Sequence, residues 1–153
     1  MHQPRRLVSS GFSGTLGYGF PTALGVKVAN PDRPVVSVAG DGGFLFAGSD
    51  LATAVQFGIN LVTVVVNNAS YGNVKRDQER LYEGRHSGAV LHNPDFQDYA
   101  RAFGVPAWRV ETPDAFQGAL KEALACDSPA VVEVVSDIAK DYPPYRFHNP
   151  RLG

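Results

Sequence analysis

Two short polar clusters carry donor atoms that could do chemistry: Gly40-Asp41-Gly42-Gly43 and Asn67-Asn68. A carboxylate, a side-chain amide oxygen and a nearby backbone carbonyl are hard oxygen donors. They suit Mg²⁺, which keeps several waters and completes its octahedron from phosphate oxygens. Glycines let a backbone approach a diphosphate closely, and the N-terminus of a following helix adds N–H donors and a favourable dipole. Taken singly, each segment is an ordinary turn sequence, with Asp41 a helix cap and Asn67-Asn68 a bend. Taken together, they read as a Mg²⁺-diphosphate clamp if the fold sets them side by side. Other phosphate motifs fit worse. The chain has no G-x-x-x-x-G-K-[ST], and a dinucleotide fingerprint would need its third glycine where Leu45 stands.

The elements that must position these residues follow from periodicity. β-branched runs at 35–39, 61–66, 107–110 and 130–135 read as buried strands. Amphipathic stretches separate them. Pro21 opens a helix that ends at Asn30-Pro31, and a second spans 47–57 up to Gly58. Asn93 before Pro94 is the expected N-cap of a third, which runs to Phe103 with Gly104 beyond it, and Thr112-Pro113 starts a fourth through Leu124. Strand alternating with helix predicts an α/β fold, a three-layer sandwich with a mainly parallel sheet and helices on both faces. Ligands of such sheets bind beyond the carboxyl ends of the strands. The first strand runs into Gly40-Asp41 and the second into Asn67-Asn68. The 24 residues between Gly42 and Asn67 are enough for one right-handed crossover. Asp41 and Asn68 are therefore predicted to be neighbours.

Composition bounds the alternatives. With 153 residues, 44% apolar and 19% charged, the chain is long enough to bury roughly 70% of its unfolded surface without staples. The simplest partition is one domain, 1–153, with a core at about 7–135 and an irregular arm at 136–153 that carries Pro143, Pro144 and Pro150. A balance of 14 Lys+Arg against 15 Asp+Glu leaves no basic footprint for nucleic acid. The apolar runs, such as that around Val62 to Val66, fall far below the roughly 20 residues of a membrane span, and a cytoplasmic setting is expected. The lone Cys126 reads as a small filler.

These residues resemble the thiamine diphosphate-dependent enzymes of the acetolactate synthase, benzoylformate decarboxylase and pyruvate decarboxylase type, specifically their C-terminal diphosphate-binding domain. The family signature of Gly-Asp-Gly, some two dozen residues and Asn-Asn is matched by Gly40-Asp41-Gly42 to Asn67-Asn68. Further matches are the segment from Ser13-Gly14-Thr15-Leu16-Gly17 to Gly25, then Asn93-Pro94-Asp95-Phe96 and Ala100-Arg101-Ala102-Phe103-Gly104. The resemblance implies that Asp41, the side chain of Asn68 and the backbone carbonyl of Ser70 hold Mg²⁺. It implies that Gly40, Gly42, Gly43 and the turn Ser70, Tyr71, Gly72, Asn73 meet the diphosphate. It gives the pyrimidine ring to Gly14, Thr15 and Leu16, with the Gly14 carbonyl accepting from the 4′-amino group and Leu16 wedged beneath the cofactor.

By the same resemblance, the substrate is a 2-keto acid that is decarboxylated or joined to a second carbonyl. The proton-transfer glutamate belongs to a partner pyrimidine-binding domain, so no catalytic residue is expected in this chain. None of Glu79, Glu83, Glu111, Glu122 and Glu133 lies in a motif that matches it, and the strand expected upstream of Leu7 is missing. The reading is an N-terminally truncated fragment or one subunit of a split enzyme. It would be inactive alone and assembled as a homo- or hetero-oligomer. The alternative is a non-catalytic cofactor-binding scaffold or regulatory subunit. Val74, six positions past Asn68, points to the acetolactate synthase or benzoylformate decarboxylase side, since pyruvate decarboxylase-like members carry glutamate there. Arg85, His86 and His92 read as solvated loop residues, Tyr71 as packing at the diphosphate turn, and Trp108 and the phenylalanines as core.

Overall fold

The computed structural model describes residues 6–9 and 14–137, so all but the first two residues of the expected arm, and Ser13 with the N-terminal tip, lie outside the described residues. Four strands, β1 (Val36–Gly40), β2 (Val62–Asn67), β3 (Ala107–Val110) and β4 (Ala130–Val135), form one parallel sheet in the order β1-β2-β4-β3. The last two strands fall where the sequence puts them, and the first two start and end one residue later.

Helices cover both faces, as the alternating pattern predicts. On one face α1 (Gly19–Ala29), α2 (Asp41–Leu45), α3 (Leu51–Gln56) and α5 (Phe96–Ala102) bury Phe20, Leu24, Phe44, Leu51 and Phe96 against Val65 and Val131. Phe44 is the hub of this layer. Its ring lies edge-on 5.5 Å from that of Phe20 and 5.9 Å from that of Phe96, which pins α2 and the Asp41 that begins it. On the other face α6 (Pro113–Ala125) packs Ala119 and Ala123 on Val62, Val64, Val110 and Val132. This helix stops short of β1. Val36 and Val38 stay 42% and 66% exposed, whereas their register partners Val62 and Val64 are buried.

Local chemistry explains where expectation and structure part. The Thr112 hydroxyl caps α6, accepting from the Ala115 N–H at 3.2 Å, and Gly104 follows α5 at φ +74°, both as expected. The cap of α5, however, is Asp95 rather than Asn93. Its carboxylate accepts from Asp98 N–H at 2.9 Å and Gln97 N–H at 2.8 Å. The Asp98 N–H, joined by that of Gln97 and by the Arg101 guanidinium, holds the Asp95 carboxyl below its ordinary value. The helix expected at 47–57 starts as a 3₁₀ turn, Gly48–Asp50, and α2 precedes it as a separate piece. Phe46 and Phe57 are exposed, not core. A further helix, α4 (Gly72–Leu81), was not expected. It buries no residue, and its apolar residues, Val74 and Leu81, are too few to mark a core-facing helix in the sequence. Among the described residues no helix is long and apolar enough to cross a membrane.

Candidate functional site

The parallel register sets the site. Gly40 pairs with Val66, so the next residues, Asp41 and Asn67, leave adjacent strands side by side. On its other side Asn67 pairs with Val135, and its carbonyl accepts from the Ser136 N–H at 2.8 Å. The tip of β2 is thus braced from both neighbours.

Asp41 is 2% exposed. Its Oδ1 accepts from the Gly42 N–H at 2.9 Å and its Oδ2 from Asn93 Nδ2 at 2.7 Å. A carboxylate has about four lone-pair sites, so two stay available to a cation. Asn93 Nδ2 also donates to Asn67 Oδ1 at 2.9 Å, tying the two strand tips through one amide. Sequence reading gave Asn93 to the helix cap and missed this contact, which spans 52 positions.

Asn68 closes a tight turn. Its Oδ1 accepts from the Ser70 N–H at 3.1 Å and the Ser70 hydroxyl at 2.8 Å. Rotating that hydroxyl away frees a lone pair for a metal. Ala69 between them has φ +51°, a left-handed conformation that a non-glycine residue rarely takes. Its N–H donates to Asn67 Oδ1 at 3.0 Å, and its carbonyl accepts from the Leu91 N–H at 2.8 Å. Buried Ser70 bridges Val90 in antiparallel pairing.

Gly42 and Gly43 are both constrained. A Cβ on buried Gly42 would run into the Tyr71 ring and Leu91, so any larger residue must displace them. The Gly43 carbonyl accepts from the Gly17 N–H at 3.1 Å, bringing the Gly14–Thr15–Leu16 segment against the Gly40–Gly43 loop. Gly14 takes φ +54°, and Leu16 is 47% exposed instead of core. An open groove of about 620 Å³ runs mainly along residues 6–9, α1 and the exposed β1 edge; Gly14, Thr15, Leu16, Gly40 and Gly43 also line it, whereas Asp41, Asn68 and Ser70 do not. The turn expected at 70–73 is half helix: Gly72 and Asn73 are the first residues of α4, and no side chain caps its N-terminus at Tyr71.

One residue that sequence reading assigned no role sits behind this array. Glu133, in the middle of β4, is 1% exposed. Its Oε1 accepts from Asn67 Nδ2 at 2.6 Å and Arg109 Nη1 at 3.0 Å, while its buried Oε2 has no hydrogen-bond partner. The signal was a carboxylate inside an otherwise apolar strand. The oxygens at these two strand tips are the Asp41 carboxylate and the neutral amide and backbone oxygens of residues 67–70, a donor set that fits Mg²⁺ sharing a phosphate ligand. Elsewhere, His92 is exposed and His86 Nε2 lies 3.0 Å from Glu79 Oε2, while Trp108 Nε1 donates to Glu122 Oε2 at 2.9 Å beside α6.

Comparison with known proteins places the chain. Residues 1–134 match the model of the thiamine pyrophosphate enzyme, C-terminal TPP binding domain. The chain is 42% identical over 124 residues to an acetolactate synthase large subunit of Haemophilus influenzae, covering 80% of this chain and 22% of that protein. It is 40% identical over 141 residues to a probable acetolactate synthase large subunit of Methanocaldococcus jannaschii, covering 92% and 24%. Among solved structures, the thiamine diphosphate-dependent 4-hydroxybenzoylformate decarboxylase of Rhodococcus jostii superposes with a TM-score of 0.76 at 36% identity, over 82% of this chain and 24% of that one. The chain thus spans about a quarter or less of the length of these relatives.

Proposed function

Because the chain belongs to the thiamine pyrophosphate enzyme family, as its C-terminal TPP binding domain, we propose that it is the diphosphate-holding part of an acetolactate synthase-like 2-keto acid decarboxylase or carboligase. The observation that carries this reading is the pairing of Gly40 with Val66, which sets the buried Asp41 carboxylate beside the Asn67-Asn68 tip, with Asn93 joining the two. In this reading Asp41, the Asn68 amide oxygen and the Ser70 carbonyl hold Mg²⁺. Gly40, Gly42 and Gly43, with Tyr71, line the approach of the diphosphate. The uncapped first N–H groups of α4, at Gly72 and Asn73, are donors for its oxygens, as a ten-residue helix N-terminus is for anions generally.

Gly14, Thr15 and Leu16, held against Gly43 through Gly17, form the wall for the pyrimidine end. When bound, the cofactor supplies the electron sink for cleaving or forming a C–C bond beside a carbonyl. The chain's own residues hold and orient it. The remaining groups, the proton-transfer glutamate among them, are supplied by a pyrimidine-binding domain or subunit in an oligomer.

Calorimetric titration of the 153-residue chain with thiamine diphosphate, with and without Mg²⁺, tests the reading. Binding that requires Mg²⁺ in the natural chain and is lost in Asp41→Ala is the expected result. Equal binding without the metal, or an Asp41→Ala chain that binds as before, overturns it.

A further inference from the structure

The proposed ligand Asp41 is one end of a continuous line of side chains whose other end is a second buried carboxylate. From Arg109 the line runs Arg109 Nη1 to Glu133 Oε1 (3.0 Å), Asn67 Nδ2 to the same oxygen (2.6 Å), Asn93 Nδ2 to Asn67 Oδ1 (2.9 Å) and Asn93 Nδ2 to Asp41 Oδ2 (2.7 Å). Each amide can present either its oxygen or its NH₂, and the groups it meets decide which: the carboxylates at the two ends and, for Asn67, the Ala69 N–H that donates to its Oδ1. Glu133 and Asp41 are acceptors when ionised. Asn67 must therefore turn its NH₂ to Glu133, which turns its oxygen to Asn93. Asn93 must in turn offer its NH₂ both to that oxygen and to Asp41. Either amide flipped alone sets oxygen against oxygen.

A glutamate at 1% exposure in a strand core is expensive to desolvate, and Arg109 offsets only part of that. Packing alone is served better by an apolar residue, as the flanking valines of β4 show. Its geometry is that of a carboxylate which orients the groups holding a metal ligand, an outer layer that shapes metal sites as strongly as the ligands themselves. We propose that Glu133, backed by Arg109, is a positioning residue. Acting through Asn67 and Asn93, it sets the orientation in which the Asp41 carboxylate meets the cation. This inference rests on the metal reading above.

The experiment compares the natural chain with Glu133→Leu, Glu133→Gln, Asn93→Ala and the Glu133→Leu/Asn93→Ala double variant. Each is titrated with thiamine diphosphate over a series of Mg²⁺ concentrations, with folded fraction measured by circular dichroism and the side-chain amide NMR signals of Asn67 and Asn93 recorded without cofactor. Glu133→Leu is expected to raise the Mg²⁺ concentration for half-maximal binding by about 10- to 100-fold and to move both amide signals. Glu133→Gln, which keeps an oxygen for Asn67 and Arg109, should recover most of the loss. The double variant should be no worse than Asn93→Ala alone, because both cut one line.

If Glu133→Leu folds but leaves the Mg²⁺ requirement unchanged, or if the two losses simply multiply, the positioning role is refuted while the metal reading stands. A natural chain that shows no Mg²⁺-dependent binding removes the metal reading, and the positioning role with it. Should Glu133→Leu not fold, Asn67→Ala, cut at the half-buried strand tip, carries the same expectation and the same refutation.

Discussion

The candidate site is assembled from two regions that are held in different ways. One is the platform of strand tips and α2, and the other is the excursion from Ser70 to Leu91 that contains α4. The platform is fastened to the core through Phe44 between Phe20 and Phe96, and its polar residues, Asp41 and Glu133 buried and Asn67 and Asn93 half-buried, are bonded across long stretches of sequence. No residue of α4 is buried. The excursion is closed at its base by Tyr71 N–H to Ala89 carbonyl (2.9 Å) and Leu91 N–H to Ala69 carbonyl (2.8 Å). Higher up, Gln78 makes a two-way bond with Ser87, Nε2 to carbonyl at 2.9 Å and N–H to Oε1 at 3.0 Å. In the proposed reading Asp41 and Asn68 come to the cation from the platform, whereas the Ser70 carbonyl and the first N–H groups of α4 come from the start of the excursion, a segment of low burial that can adjust to a ligand.

Three substitutions test this contrast. Phe44→Ala should have the largest effect, about 3–5 kcal/mol off global stability, because it empties the hub beneath α2. A urea unfolding midpoint that barely moves would mean the platform does not depend on the core. Gly42→Ala comes next, at about 1–3 kcal/mol by overpacking, since the new methyl displaces Tyr71 or Leu91. Because Tyr71 starts the excursion, faster proteolysis between 70 and 91 should accompany the lower melting temperature. Intact resistance there would show that the two regions are uncoupled. Gln78→Ala is expected to be smallest, about 1 kcal/mol and purely local. It should speed amide exchange at Ser87 and leave the global midpoint unchanged, and a shifted midpoint would make the excursion part of the core.

Much of this was legible beforehand. Strands β3 and β4 were placed to the residue, and the caps at Thr112 and Gly104 were read from residue type alone. The helix α4 was invisible because its apolar side is only Val74 and Leu81 amid charged residues, too sparse to mark a core-facing stripe. Asn93 was misassigned because Asn before Pro is a sound local cap signal, and nothing local shows that Asp95 takes that task and frees the Asn93 amide for Asp41.

Sequence by itself determined that strand-forming runs end in a carboxylate flanked by glycines and in a pair of asparagines, and that one crossover separates them. Those are local properties of residue type and spacing, and they made Asp41 and Asn67-Asn68 neighbours once the sheet set β1 beside β2 in parallel. Only the tertiary structure decided what stands behind them. The strand order β1-β2-β4-β3 puts β4 against β2, so a glutamate 66 positions after Asn67 reaches its amide. Hydrogen bonds of that span depend on which strands become neighbours, and no window along the chain contains both partners.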